Sequence, residues 1–178
     1  MMHRIHIVGR KNSGKTTLIV DLVRYLTEKG HNVGTIKHTH HHHEFDTPGK
    51  DSHCHREAGA VVVGILAPAM SVVFSPNKAE TVGERRYEEI DALFSDCDLV
   101  LVEGDASSTA AKIEVWRSDN PQEPLALNDS SIIAVVTDDP VDVSTTVWPR
   151  SDVAALAQRI LERVESLKAE SPDSRVQS

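Results

Sequence analysis

Gly9-Arg10-Lys11-Asn12-Ser13-Gly14-Lys15-Thr16, followed by Thr17, is the stretch that decides how this chain folds. Two glycines five residues apart, then Lys-Thr, make the pattern of a phosphate-binding loop. Ahead of it, Ile5-His6-Ile7-Val8 reads as a short buried strand. Behind it, Leu18, Ile19, Leu22, Val23 and Leu26 recur at helical spacing up to Gly30. In a strand–loop–helix context the glycines let backbone N–H groups curl around a phosphate, and the helix N-terminus adds the positive end of its dipole. Lys15 is then expected to reach the β- and γ-phosphates, and the Thr16 hydroxyl to ligate Mg²⁺. A nucleoside triphosphate site is therefore expected at Gly9, Arg10, Lys11, Asn12, Ser13, Gly14, Lys15, Thr16 and Thr17.

Outward from this loop, apolar runs alternate with polar and helical segments, the pattern of an α/β sheet. Asn32 to Lys37 reads as a second strand, and Ala60 to Leu66 and Met70 to Phe74 as a pair. Asp98 to Gly104, Lys112 to Trp116 and Ser131 to Thr137 read as further strands. Helices are expected at about Ser52 to Ala58, Gly83 to Phe94 and Asp152 to Leu167. The expectation is an α/β fold: one P-loop NTPase domain over residues 1–167, with a mostly parallel sheet, helices on both faces, and a frayed polar tail over 168–178.

A chain of 178 residues suffices for one such core. A formal net charge of −8 argues against a general nucleic-acid or anionic-membrane binder, so neither is expected as a partner. Two cysteines, Cys54 and Cys97, make neither a disulfide framework nor a zinc cluster by themselves. No signal peptide and no apolar run of spanning length is evident, so a cytoplasmic location is expected.

A triphosphate with Mg²⁺ calls for an acidic residue at the C-terminal end of a neighbouring strand, where α/β sheets place their ligands. Glu103 ends the most apolar strand, before Gly104. Asp98 opens the same strand and should lie about 16 Å away at roughly 3.3 Å per residue. Glu103 is thus the expected acidic residue near the metal. Asp138, after the strand ending at Thr137, could accept two N–H donors from a guanine.

The segment from His38 to Asp51 has the proline, glycine and polar residues of a long loop. His38, His40, His41, His42, His43, His53 and His55 fall within 18 residues. Two readings stay open: a polar loop in which one or two histidines contact phosphate, or a transition-metal loop. Lys37, His38, His40, Lys50 and Arg56 are possible phosphate or partner contacts. Asp51 is a possible Mg²⁺ ligand in a region that faces the γ-phosphate in P-loop proteins.

Taken together, these stretches resemble the family of molybdopterin-guanine dinucleotide biosynthesis adapter protein B, MobB. The matching residues are Gly9 to Thr17, Ile36-Lys37-His38-Thr39-His40-His41, Asp46-Thr47-Pro48-Gly49-Lys50-Asp51-Ser52, Arg56-Glu57-Ala58-Gly59-Ala60, Leu101-Val102-Glu103-Gly104 and Ala111-Lys112-Ile113. The resemblance implies a GTP-binding adapter with weak GTPase activity, usually a homodimer. It assists a partner guanylyltransferase that attaches GMP to molybdopterin. It also implies that Lys15 and Thr16 serve phosphate and Mg²⁺, with Asp51 and Glu103 near the metal. Two features depart from the family: Asp105 stands where Phe-Lys usually follows Glu-Gly, and the histidine run is long. The alternatives are a histidine-rich metallochaperone GTPase for nickel or zinc, or a small-molecule P-loop kinase.

Overall fold

The computed structural model describes residues 2–39, 44–77 and 83–170. The chain falls into two compact units, Met1–His38 with Tyr87–Ser178, and Thr39–Arg86.

In the larger unit six parallel strands form one sheet in the order β2-β5-β1-β6-β7-β8. They are β1 (Arg4–Val8), β2 (Val33–Lys37), β5 (Leu99–Glu103), β6 (Lys112–Val115), β7 (Ile132–Val136) and β8 (Thr146–Trp148). The central strand β5 is continuous Leu and Val up to Glu103, and β1 is buried from Ile5 to Val8 with His6 among them, as expected for strands covered on both faces. Helices α1 (Lys15–Glu28) and α4 (Val153–Glu170) cover one face. There Ile5, Ile7, Leu99, Leu101 and Ile113 pack with Leu18, Leu22, Leu156 and Ile160. The same 3.6-residue spacing that reads as helix in the sequence sets Leu18, Leu22 and Leu26 in one stripe on α1. Helix α4 runs to Glu170, three residues past its expected end, and residues 171–178 lie outside the described residues.

The opposite face is covered differently. The helix expected over Gly83 to Phe94 is a short α3 (Arg85–Glu88) followed by a 3₁₀ turn at Asp91–Phe94. Tyr87, Ile90 and Phe94 still reach Met2, Val100 and Val102. Tighter bonds from Ile90 N–H to Tyr87 C=O and from Leu93 N–H to Ile90 C=O replace a regular helix there.

In the smaller unit, α2 (Asp51–Glu57) precedes the antiparallel hairpin of β3 (Val63–Leu66) and β4 (Ser71–Phe74). The Asp46–Ser52 segment is folded on itself: Asp46 Oδ1 accepts the Thr47 N–H and the Ser52 hydroxyl, both near 2.9 Å or closer. Gly49 turns the chain at φ 79°.

Candidate nucleotide site

Strand register decides which side chains meet the P-loop. Lys37, Glu103 and Ile7 stand level across β2, β5 and β1. Ile7 packs in the core on the α1 side, and parallel register carries the Glu103 side chain to the same face. There Thr16, in the first turn of α1, donates its hydroxyl to Glu103 Oε1 at 2.9 Å. Lys37 Nζ bonds the same oxygen. Asp98 lies at the other end of β5, accepting the Asn32 N–H at 2.8 Å. Glu103 and not Asp98 therefore stands at the loop.

Local backbone conformation explains the shape. A Cβ on Gly9 would sit 2.4 Å from the Val115 carbonyl oxygen, so only glycine lets the loop approach β6. Gly104 and Asp105 both take positive φ, 93° and 58°, and end β5 just after Glu103. The Lys15 ammonium lies back on the loop, donating to the carbonyls of Gly9 (3.0 Å) and Arg10 (2.7 Å). Burial pushes the Lys15 pKa down; Glu103 opposes and Lys37 adds to that fall. Ser13 is 2% exposed, and among the described residues its buried hydroxyl has no hydrogen-bond partner. A buried hydroxyl without a protein partner inside a glycine loop is suited to bond an oxyanion.

Two cavities flank the first turn of α1 and share Gly14, Thr17 and Arg117 in their walls. One, about 510 Å³, is lined by Lys11, Asn12, Lys15, Thr16, Lys37 and Glu103. The other, about 320 Å³, is lined by Ser13, Trp116, Thr137, Asp138, Asp139 and Arg150. Both fall in the size range of small-molecule sites. Asp138 accepts two bonds from Ser151, its N–H at 3.0 Å and its hydroxyl at 2.9 Å; these hold its carboxyl below the usual range.

Several residues that line these cavities or brace the loop are unmarked in the sequence. Arg117 and Trp116 follow β6 with no motif to mark them, and the same loop brings Asn120 Nδ2 to the Lys11 carbonyl at 3.5 Å. The ion pair of Lys37 with Glu103 depends on strand order, which no local pattern encodes. Asp105, a departure from the family pattern beside the expected phosphate site, is buried and turned to its own partners. Tyr87 donates its hydroxyl to it at 2.7 Å and Ser107 at 2.6 Å. Burial opposes its ionisation, but Ser107, Tyr87, His38 and His6 together outweigh burial and hold its pKa down.

Lys50, Asp51 and Arg56 belong to the smaller unit. Asp51 opens α2, and Arg56 pairs with Glu44 at 2.6 Å while its guanidinium lies over the Phe74 ring. His38 donates its N–H to the Glu103 carbonyl at 3.0 Å. His40 to His43 lie outside the described residues. Among the described residues no cluster of three His, Cys, Asp or Glu could hold a metal, and no helix is long and apolar enough to cross a membrane.

Residues 4–138 match the family model described as molybdopterin guanine dinucleotide synthesis protein B, MobB. The chain belongs to the MobB family. It is 36% identical over 162 residues to the molybdopterin-guanine dinucleotide biosynthesis adapter protein of Escherichia coli K12, covering 84% of this chain and 86% of that one. It is 30% identical over 154 residues to the Haemophilus influenzae adapter of the same name, covering 86% and 85%. A crystal structure of molybdopterin-guanine biosynthesis protein B superposes with a TM-score of 0.68 at 28% identity, over 91% of this chain and 99% of that one. A MobB homologue from Bacillus stearothermophilus, 24% identical with a TM-score of 0.65 over 93% and 99%, shares the fold. MobB membership bears out the adapter reading in molybdopterin guanine dinucleotide biosynthesis, and the relatives' names lend nothing to the metallochaperone or kinase alternatives.

Proposed function

We propose that this MobB-family chain serves molybdopterin guanine dinucleotide formation as a GTP-binding adapter with slow, Mg²⁺-dependent hydrolysis at most. The observation that carries the nucleotide reading is the Thr16 hydroxyl on Glu103 beneath a P-loop with an unpartnered Ser13 hydroxyl. Thr16 and Glu103 offer hard oxygen donors in number suited to Mg²⁺, which keeps few protein ligands and takes the rest from phosphate and water. They fit that ion, and Asp51 is the further proposed ligand. Bound Mg²⁺ would shield the charge of the β- and γ-phosphates.

The chain's own residues do the remainder. Lys15 exchanges the carbonyls of Gly9 and Arg10 for phosphate oxygens, and Ser13 and the N–H groups from Asn12 to Thr17 cradle them. Lys11, Lys37 and Arg117 supply further positive charge, with His38, His40, Lys50 and Arg56 as the proposed outer contacts. The nucleoside extends into the cavity walled by Asp138, where a carboxylate favours guanine over adenine. Isothermal titration with Mg²⁺ should show GTP bound more tightly than ATP. Preference for ATP, or no triphosphate bound, would end this reading.

The partners proposed by resemblance are molybdopterin and its guanylyltransferase. Adding this chain should raise the rate at which that enzyme makes the dinucleotide. A homodimer is proposed as well. In the hairpin, Leu66 and Val73 share its outward face, 87% and 63% exposed, beside Met70 in the turn. A two-stranded hairpin with an apolar face and open edges calls for a covering partner, and a second copy of the same hairpin supplies one.

A further inference from the structure

We propose that Lys37 makes this site distinguish a nucleoside triphosphate from a diphosphate, by holding Glu103 while the site is empty and passing to the γ-phosphate when a divalent cation takes the carboxylate. The inference rests on the nucleotide reading above and adds the regulation of that site.

Three observations carry it. First, Lys37 and Glu103 stand directly level in the β2–β5 register, so the pair is built by the sheet and not by a chance meeting of two surface side chains. Secondly, the partners differ in environment: the Glu103 side chain is 12% exposed, that of Lys37 64%. The carboxylate is fixed in place and the ammonium is tethered by a flexible stem at the end of an edge strand. Thirdly, Thr16 and Lys37 converge on one oxygen, Oε1. The Thr16 hydroxyl can keep its bond to Glu103 while its own lone pair faces a metal, since a hydroxyl both donates and accepts. Lys37 has only donors and cannot share that position with a cation.

With a divalent cation held at the carboxylate, Lys37 would give up Oε1 while Thr16 keeps its bond to it. The released ammonium stays in the cavity that holds Lys11 and Lys15. Lys15 starts from the P-loop carbonyls and reaches the β- and γ-phosphates from the loop side; Lys37 starts from β2, on the other side of Glu103, and would meet the γ-phosphate from there. A triphosphate offers Lys37 a terminal phosphate there. A diphosphate does not, so breaking the Lys37–Glu103 pair goes uncompensated.

The test is titration of GTP and GDP, each with Mg²⁺ and with EDTA, into the full chain and its Lys37→Met and Lys37→Arg variants. The expected result is that Lys37→Met weakens GTP with Mg²⁺ by about tenfold, as for one lost charged contact, and leaves GDP with Mg²⁺ unchanged or tighter. In EDTA the GTP-to-GDP ratio should not respond to the substitution. Lys37→Arg should keep most of the GTP preference. Binding of both nucleotides with a ratio that Lys37→Met leaves unaltered in Mg²⁺, or an equal loss for both, overturns the inference while the nucleotide reading stands. Binding of neither by the unaltered chain overturns both. Lys37 is exposed at a strand end, so the variants should fold, and thermal melting reads any cost of the lost pair with Glu103 separately from binding.

Discussion

Thr16 and Glu103, 87 residues apart in the chain, meet at 2.9 Å, the hydroxyl of the P-loop threonine donating to the carboxylate that ends β5. That bond joins the loop to the strand beside it and brings Glu103, not Asp98, to the loop. Glu103→Gln should leave triphosphate affinity within a few-fold and lower Mg²⁺-dependent turnover by roughly 10- to 100-fold, the usual cost of a lost partner around a metal. Turnover equal to that of the parent would move the role to Asp51.

Lys15→Ala should abolish triphosphate binding and spare the fold. Among the described residues the Lys15 ammonium bonds the loop carbonyls of Gly9 and Arg10, so its loss should change stability by no more than about 0.5 kcal/mol. Titration and thermal melting read the two effects separately. Normal GTP binding by this variant would remove the P-loop assignment.

Gly9→Ala attacks the same site through the backbone. The new methyl would lie 2.4 Å from the Val115 carbonyl oxygen in a conformation with φ 139°, so the loop must withdraw from β6. Strain of roughly 1–3 kcal/mol and loss of nucleotide binding are expected. Gly49→Ala is the control: its turn also has positive φ, but nothing lies within 4 Å of the new methyl, so any effect is conformational only. Equal nucleotide affinity in parent and Gly9→Ala would show that the close approach to β6 has no role in binding.

Asp105 makes stability depend on acid. Its folded pKa lies below the unfolded value near 3.8, so the ionised form, bonded to Tyr87 and Ser107, stabilises the fold above that pH. That contribution is lost as pH falls through the folded pKa. Asp105→Asn should cost about 1–3 kcal/mol at pH 7 and progressively less below about pH 4, measured by urea unfolding. A cost independent of pH would mean the carboxylate is not the stabilising species.

Leu66→Glu combined with Val73→Glu should turn a dimer into monomers in light scattering without loss of the α/β circular dichroism spectrum. Both residues lie on the outward hairpin face, so the chain's own core is untouched. A dimer that survives both charges would place the interface elsewhere.

Much of this is legible in the sequence, because the features concerned are local. The P-loop, the α1 stripe of Leu18, Leu22 and Leu26, and the apolar run of β5 each follow from backbone chemistry and spacing within a few residues. Glu103 could be chosen over Asp98 by counting residues along one strand. The length of α3 could not be read this way, since the 87–90–94 spacing serves a short helix and a 3₁₀ turn as well as it serves a continuous helix.

What the chain determines by itself is therefore the phosphate loop, the parallel α/β class, and the position of its acidic partner at a strand end. Tertiary structure alone decided that β5 lies between β2 and β1, and with it the meeting of Lys37, Thr16 and Glu103 at one oxygen. It also turned Asp105, by a positive φ after Gly104, onto the hydroxyls of Tyr87 and Ser107. Strand order and register are long-range pairings set by which faces bury together. Those partners are far apart in the chain, and no local spacing encodes them.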